Sequence, residues 1–398
     1  MNETKKPAIR FRGFSGEWKQ SRVGELIEDY TEKTVVQNQY PVLTSSQQQG
    51  IVRQEEYFAD RQVTTNDNVG YFVLPFGYFT YRSRSDTDVF VFNRNDLIDK
   101  GIISYYYPVF APKSCDSNFL LRRLNYGIKK QLSMAAEGTG QKVLAHSKFK
   151  DMIVDVPDEE EQIKIGTIFE YIDNLIAQHQ SRLEKLQALK ASMLEKMFPK
   201  DGADVPEVRF KGFTGAWERY KFSELYASVT QKNDLTYGMD KNITVATMQY
   251  RPDIQVTDVE YLKTYNVLKL GDIAFEGHQS KEFRYGRFVE NDIGDGIISH
   301  IFAVFRPKMN YDLKFWKYTI NNEQVMRRVL VRCTKASTMM NDLVIKDFLE
   351  ESILVPDIEE QKKIGTALAD IDRLISLFQQ QLDKLHAIKK ALLGKMFV

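Results

Sequence analysis

The strongest constraint on this 398-residue chain is an internal repeat at an offset of 199 residues. Residues 7–18 (PAIRFRGFSGEW) recur as residues 206–217 (PEVRFKGFTGAW). Residues 156–198, which begin VPDEEEQIKIGT and end KMF, recur as residues 355–397, with about 24 of 43 positions identical. Because a repeat on this scale reflects one structural unit used twice, the chain is predicted to contain two similar domains.

The sequences between these repeated ends have diverged. A weaker similarity survives in GIISYYYPVFAPK, which begins at Gly101, and GIISHIFAVFRPK, which begins at Gly296. Shared ends with different interiors indicate a common scaffold whose variable part recognises a different target in each copy. The alternative is a duplicated fold whose loops have drifted without consequence.

Each copy of the longer repeat predicts a long helix. A proline followed by acidic residues marks each start, where carboxylates stabilise the positive end of the helix dipole. Apolar residues then recur at spacings of three and four, which gives each helix one apolar stripe. We predict that the two stripes pair antiparallel; the alternative is that each helix packs only on its own domain. The predicted helix-pair interface comprises Ile168, Ile172, Leu175, Leu183, Leu186, Ile371, Leu374, Phe378, Leu382 and Leu385.

Turn-forming residues after the first helix mark the junction between the copies. Short apolar and aromatic runs, broken by Gly, Asn, Asp and Pro, predict several strands in each variable domain. The fold class is therefore α+β, with two similar α/β domains joined by two long antiparallel helices, coiled-coil-like, in a pseudo-twofold internal repeat. The predicted divisions are a first domain over 1–155, a central helix over 156–198, a linker over 199–205, a second domain over 206–354 and a C-terminal helix over 355–398.

Polar loops between the predicted strands carry residue types that recognise DNA. Gln can pair with adenine, Arg or Lys with guanine, and Ser or Thr can contact phosphates. The same residue types are ordinary on protein surfaces, so solvated loops are the alternative. The candidates in the first domain are Thr44, Ser45, Ser46, Gln47, Gln48, Arg82, Ser83, Arg84, Thr139, Gln141 and Lys142. The candidates in the second domain are Gln249, Tyr250, Arg251, His278, Gln279, Ser280, Lys281, Lys335, Ser337 and Thr338.

No catalytic, cofactor-binding or metal-binding residues are predicted, because the motifs that would indicate them are missing from the sequence. Cys115 and Cys333 have no CxxC partner, and the sequence has no P-loop, GxSxG or HExxH motif. The formal net charge of +1 requires any phosphate-binding surface to be local. Without a long apolar run or a secretory signal at its start, the chain is expected to be cytoplasmic.

The doubled VPDxEEQxKIGT helix start and the doubled RFxGFxGxW segment resemble the specificity subunit of type I restriction-modification systems. The resemblance covers essentially the whole chain. It implies that the variable domains are target recognition domains, each of which reads one half of a bipartite site in double-stranded DNA. It also implies that the helix pair sets the spacer and docks the methyltransferase subunits.

The resemblance further implies a non-catalytic subunit of a larger complex. The implied partners are two adenine-N6 methyltransferase subunits and ATP-dependent restriction subunits. No membrane is expected among the partners. S-adenosylmethionine, ATP and magnesium are then expected in the partner subunits, in agreement with the absence of an NPPF-type methylation motif here. One alternative is a scaffold that binds peptides and no nucleic acid. Another is a free-standing methyltransferase or nuclease, which would need the motifs that are missing.

Overall fold

A computed structural model describes residues 6–58, 67–87, 89–200, 202–252, 259–336 and 340–397. The chain divides into two compact units. Unit 1 consists of Met1–Gln180 with Gln381–Val398, and unit 2 consists of Ser181–Gln380. Both boundaries fall inside long helices, so each unit contains the first part of one long helix and the last part of the other.

Unit 1 is a mixed α+β unit. Its strands are β1 (Lys19–Arg22), β2 (Ile27–Tyr30), β3 (Leu43–Ser46), β4 (Gly50–Arg53), β5 (Phe72–Pro75), β6 (Phe79–Tyr81), β7 (Arg84–Ser85), β8 (Phe92–Arg94), β9 (Lys100–Ile103), β10 (Val109–Pro112), β11 (Lys142–Val143) and β12 (Ile153–Val156). Its helices are α1 (Val23–Leu26), α2 (Gln54–Tyr57), α3 (Ser117–Asn125), α4 (Lys129–Ala135), α5 (His146–Lys150) and the first part of α6 (Glu159–Lys196).

Unit 2 repeats this arrangement. Its strands are β13 (Glu218–Lys221), β14 (Tyr226–Val229), β15 (Ile243–Thr244), β16 (Gln249–Tyr250), β17 (Asn266–Leu268), β18 (Ile273–Glu276), β19 (Arg287–Glu290), β20 (Gly296–Ile298), β21 (Val304–Pro307), β22 (Thr334–Ala336), β23 (Asn341–Leu343) and β24 (Ser352–Val355). Its helices are α7 (Phe222–Leu225), α8 (Leu313–Ile320), α9 (Glu323–Cys333), α10 (Ile345–Glu350), the first part of α11 (Ile358–Met396), and the 3₁₀ helices Met239–Lys241 and Val259–Thr264.

The same antiparallel sheet lies at the centre of each unit. The strand order is β2-β10-β6-β8 in unit 1 and β14-β21-β18-β19 in unit 2. The first and last strands of each variable region also pair, as β1-β12 and β13-β24. The diverged interiors therefore share one fold, and the predicted α+β class with two long helices is confirmed.

The two repeated sequence motifs contact each other through an ion pair in each unit. Arg10 donates from Nε and Nη2 to the two carboxylate oxygens of Glu161 at 2.8 and 2.6 Å. Arg209 binds Glu360 in the same bidentate way at 2.7 and 2.6 Å. Each glutamate side chain is only 1% exposed. The motifs recur together because each supplies half of one contact, which fastens the start of a long helix to its unit.

The remaining residues of the helix-start motif position the short helix that follows the central sheet. The Oε1 atom of Gln162 accepts from the backbone N–H of Asp116 at 3.0 Å, just before α3. A Cβ atom on Gly166 would lie 2.3 Å from Oδ1 of Asp116, so only glycine allows this approach of α6 to α3. Gln361 and Gly365 make the corresponding contacts with the start of α8 in unit 2.

The KMF segment at the end of each long helix completes an aromatic core. In unit 1, the ring of Phe397 after α11 lies 6.0 Å from Trp18 and 5.7 Å from Phe119, centroid to centroid. In unit 2, the ring of Phe198 after α6 lies 6.0 Å from Trp217. Each core is therefore closed by the end of the helix that begins in the other unit.

A backbone hydrogen bond joins each RFxGF segment to the same helix end. In unit 1, the N–H of Ile9 donates to the carbonyl of Lys395 at 2.9 Å. In unit 2, the N–H of Val208 donates to the carbonyl of Lys196, also at 2.9 Å. Residues near the two ends of the chain thus meet within unit 1.

The two long helices run antiparallel within each unit. A residue further along α6 contacts a residue earlier in α11, which establishes the direction. The contacting pairs are Phe169–Phe397 and Asp173–Lys389 in unit 1, and Arg182–Phe378 and Lys190–Asp372 in unit 2. The predicted antiparallel direction is confirmed in each unit taken separately.

The ten residues predicted at the helix-pair interface differ in exposure. Ile172, Leu183, Ile371 and Leu382 are buried, whereas Leu374 is 38% exposed. The half-buried residues are Ile168, Leu175, Leu186, Phe378 and Leu385. The interface as a whole stays a prediction.

Both long helices begin three residues after the predicted starts of the helical segments. Val156 and Val355 are the last residues of strands β12 and β24, so they cannot also start a helix. In unit 2, Oδ1 of Asp357 accepts from the N–H of Glu360 at 3.0 Å and caps α11. The predicted domain boundaries and the linker over residues 199–205 stay predictions.

Replacing Arg10 with Ala tests the ion pair. The change leaves the buried carboxylate of Glu161 without its partner, so the free energy of unfolding of unit 1 should fall by about 3 kcal/mol. Hydrogen-exchange mass spectrometry on the full chain should show faster exchange in unit 1, and Arg209→Ala should give the mirror result in unit 2.

Arg12→Ala is the matched control, because Arg12 is exposed in the same segment. Equal exchange for Arg10→Ala and Arg12→Ala would contradict the proposed contribution of the ion pair.

Candidate nucleic-acid interface

Unit 1 has a cleft of about 580 Å³ beyond the end of β6. Most of the predicted DNA-binding residues of the first domain line it, although they come from three separate segments of the chain. They are Thr44, Ser45, Ser46, Gln47, Gln48, Arg82, Arg84 and Gln141. The structure therefore brings these sequence candidates together at one edge of the unit.

Arg84 presents its cation beside an aromatic ring in this cleft. Its guanidinium carbon lies 4.5 Å from the centroid of the Tyr106 ring. Strand β7, which carries Arg84, is held by pairing with β11, and Oγ of Ser83 donates to the carbonyl of Tyr106 at 2.7 Å. The exposed guanidinium is thus positioned by its own strand and by a neighbouring loop.

Two of the predicted contact residues, Ser45 and Ser46, are buried and support the turn between β3 and β4. Asn93 donates from Nδ2 to Oγ of Ser45 and to the carbonyl of Ser46, both at 2.8 Å. Oγ of Ser46 accepts from the backbone N–H of Gln48 at 3.2 Å. These bonds hold a turn on which Gln47 and Gln48 are exposed.

Three further candidates of unit 1 lie beside the cleft without lining it. Ser83 is bound to the Tyr106 carbonyl, and Lys142 is half-buried on β11. Thr139 is exposed in the turn before Gln141, whose Nε2 donates to Oδ1 of Asp86 at 3.0 Å. This turn thus borders the cleft through Gln141.

The aromatic residues of the cleft were not among the predicted contact residues. Tyr57 and Tyr106 line it and are 43% and 45% exposed, and Tyr105 beside them is 52% exposed. The pKa of the Tyr107 phenol is raised above its usual value, because the effect of burial exceeds the opposing effects of Arg82 and of a hydrogen bond with Thr44. The triple tyrosine at 105–107 is the sequence signal for these aromatic residues.

The candidates of unit 2 lie on three segments that are bonded together. Arg287 donates to Oε2 of Glu276 at the end of β18 and to the carbonyl of Ala246 in the β15–β16 turn, both at 2.8 Å. The N–H of Asn341 at the start of β23 donates to the carbonyl of Gly277 at 2.7 Å. The β15–β16 turn, the loop after β18 and the β22–β23 hairpin therefore form one edge, as the corresponding segments do in unit 1.

Most candidates on this edge of unit 2 are exposed. They are Gln249, Arg251, His278, Gln279, Ser280, Lys281 and Lys335. Tyr250 is half-buried and its hydroxyl donates to the carbonyl of Asp295 at 3.0 Å, so it also supports the unit. Ser337 and Thr338 lie outside the described residues. Contact of any of these side chains with DNA stays a prediction.

The described parts of the chain contain neither a candidate metal site nor a helix able to cross a membrane. No group of three or more His, Cys, Asp or Glu side chains there is placed to hold a metal ion. None of the helices described combines enough length and apolar character to cross a membrane.

Comparison with known proteins shows which proteins the chain is similar to. Residues 15–188 match the family of type I restriction modification DNA specificity domains. The chain is 22% identical over 290 residues to the type I restriction enzyme MjaVIII specificity subunit of Methanocaldococcus jannaschii. That match covers 66% of this chain and 65% of the relative, so it spans just under two thirds of the relative's length.

The fold also resembles a crystal structure of the type I restriction-modification system S subunit from M. genitalium. The TM-score is 0.62 with 13% sequence identity, and the match covers 99% of both chains. At this identity the likeness concerns the fold alone. The family match over residues 15–188 confirms the resemblance predicted from the doubled motifs.

Arg84→Ala should weaken recognition of DNA at one base pair. An exposed arginine that pairs with guanine contributes about 1–3 kcal/mol of discrimination against other bases. Competition binding with single-base variants of the target should show relaxed specificity at one base position. Lys148→Ala, a cation in the same unit that does not line the cleft, is the control and should leave specificity unchanged. A uniform loss of affinity for all sequences would indicate a phosphate contact instead.

Proposed function

We propose that this chain is the DNA specificity subunit of a type I restriction-modification complex, in which each unit reads one half of a bipartite site. One observation carries the proposal: two units share a scaffold, but different side chains occupy the loops at the same edge of each. A shared scaffold with different exposed groups suits recognition of two different sequences. The family match of residues 15–188 supports DNA specificity as the function.

In this proposal the chain is non-catalytic and acts through its partners. Two adenine-N6 methyltransferase subunits would modify the site, and ATP-dependent restriction subunits would cleave DNA. S-adenosylmethionine, ATP and magnesium would bind in those subunits, and the assembly would act on DNA in the cytoplasm. The near-neutral charge of the chain suits a subunit that shares phosphate contacts with its partners.

The helix pair would set the spacer between the half-sites. Helices of 38 and 39 residues extend about 57 Å at 1.5 Å per residue. Half-sites read on one face of B-DNA should have centres about one helical turn, or roughly 34 Å, apart. Helices of this length are sufficient for that span.

Exchanging the variable region tests whether recognition is modular. Replacement of residues 20–150 with the corresponding region of a homologue should change one half-site and leave the other unchanged, because these residues lie in unit 1. Sequencing of methylated adenines, with the complete complex present, identifies both half-sites. A change in both half-sites together would contradict independent recognition.

Lengthening the helices tests the spacer. Four additional residues after Gln180 in α6, one helical turn, should change the preferred spacer while both half-sites stay the same. A second chain with four residues added after both Gln180 and Gln379, the equivalent position in α11, is the control that keeps the antiparallel contacts in register. Selection from DNA libraries with random spacers measures the result, and altered half-sites would count against the helices as a ruler.

A further inference from the structure

Each unit exposes a pair of large apolar side chains in two adjacent turns of its central region. In unit 1, Phe76 is 58% exposed and Leu97 is 46% exposed; we call this pair tip 1. In unit 2, Leu270 is 52% exposed and Ile293 is 37% exposed; we call this pair tip 2. Single exposed apolar residues are common, but a matched pair in two diverged units requires an explanation.

The same polar scaffold builds both tips. Asn95 and Asn291 are both fully buried, and each accepts at Oδ1 from the N–H of the second apolar residue of its tip, at 3.1 and 3.2 Å. Gly77 and Gly271 follow the first apolar residue with φ of 80° and 86°, in the left-handed region. Each glycine N–H donates to the backbone carbonyl of its buried asparagine at 2.8 Å. The same hydrogen bonds therefore fix the backbone of both tips.

Each tip lies at the opposite end of a central strand from the candidate DNA-binding loops. Strand β6 starts two residues after Gly77 and ends immediately before Arg82. Strand β18 starts two residues after Gly271 and ends two residues before His278. Because the loops would face DNA, a tip at the other end is available to a protein.

In unit 1, the surface next to tip 1 continues to a long helix. Phe76 and Asp96 line a cleft of about 600 Å³, together with Ser117 of α3 and Asp173 of α6. Asp96 is already paired with Arg94, whose Nε lies 2.6 Å from Oδ1 of the carboxylate. The apolar side chains are thus the exposed part of the tip, whereas its carboxylate is neutralised within the unit.

In unit 2, the turn of tip 2 is connected to the other long helix by a similar path. Asp292 is paired with Lys317 of α8 at 2.6 Å, so the carboxylate beside this tip is also neutralised. The next residue of α8, Tyr318, donates from its hydroxyl to Asp372 of α11 at 2.6 Å. Both tips therefore lie on surfaces that lead to the predicted spacer helices.

We propose that tips 1 and 2 each dock one copy of the same protein partner. The apolar pair of each tip inserts into an apolar pocket on that partner. A surface built twice on one scaffold, with its carboxylates neutralised internally, fits one partner present in two copies. This inference rests on the proposed function, which makes that partner the methyltransferase subunit. It adds a docking point on each variable domain to the docking predicted for the helices.

The test uses the full chain with its methyltransferase subunit. Double variants Phe76→Ser/Leu97→Ser and Leu270→Ser/Ile293→Ser each remove one tip. Native mass spectrometry and isothermal titration should show that each variant binds one copy with wild-type affinity and the other at least tenfold more weakly. Circular dichroism and thermal unfolding confirm that each variant is folded, because exposed substitutions have small effects on stability.

Val69→Ser and Val259→Ser are matched controls, because these valines are 47% and 60% exposed and lie outside the tips. Two copies bound to both tip variants with unchanged affinity would overturn the inference. The inference would also be overturned if the tip variants still bound two copies of the methyltransferase but lost affinity for DNA. A change in the self-association of the variant chain alone would overturn it as well. A wild-type chain that binds neither the methyltransferase nor specific DNA would instead refute the proposed function, and the inference with it.

Discussion

The bidentate contact between an arginine near the start of each repeat and a glutamate at the start of a long helix holds each unit to its helix. Arg10–Glu161 and Arg209–Glu360 have nearly the same geometry. A buried carboxylate is costly without such a partner, so the two motifs must be retained together. The variable region between them can then change its exposed loops while its strands stay anchored at both ends by β1-β12 and β13-β24.

The long helices belong to both units, and this explains why the KMF segment repeats as faithfully as the helix start. Phe397 and Phe198 each complete an aromatic core in the unit where their helix ends. Arg10 and Phe397 therefore stabilise the same unit from opposite ends of the sequence. Each long helix contributes to the cores of both units. Removing a helix from one unit would therefore open the core of that unit.

The sequence predicted what depends on periodicity and on end signals: two similar domains, two long helices and their antiparallel direction. It did not predict that Arg10 binds Glu161, because a repeat shows which residues recur and not which ones touch. The burial of Ser45 and Ser46 also escaped prediction, since serine is equally common in supporting and exposed positions. The tips were missed because Phe76 and Leu270 do not recur at the offset of 199, owing to length changes inside the variable regions.

The hydrogen bond between Ile9 and Lys395 has a consequence for synthesis of the chain. Unit 2 is one continuous stretch, Ser181–Gln380, whereas unit 1 needs residues from both ends. Because the ribosome synthesises the chain from its N-terminus, all of unit 2 is made before the last helical segment of unit 1. The unit that is synthesised first is the one completed last, and until then the aromatic pocket around Trp18 lacks Phe397.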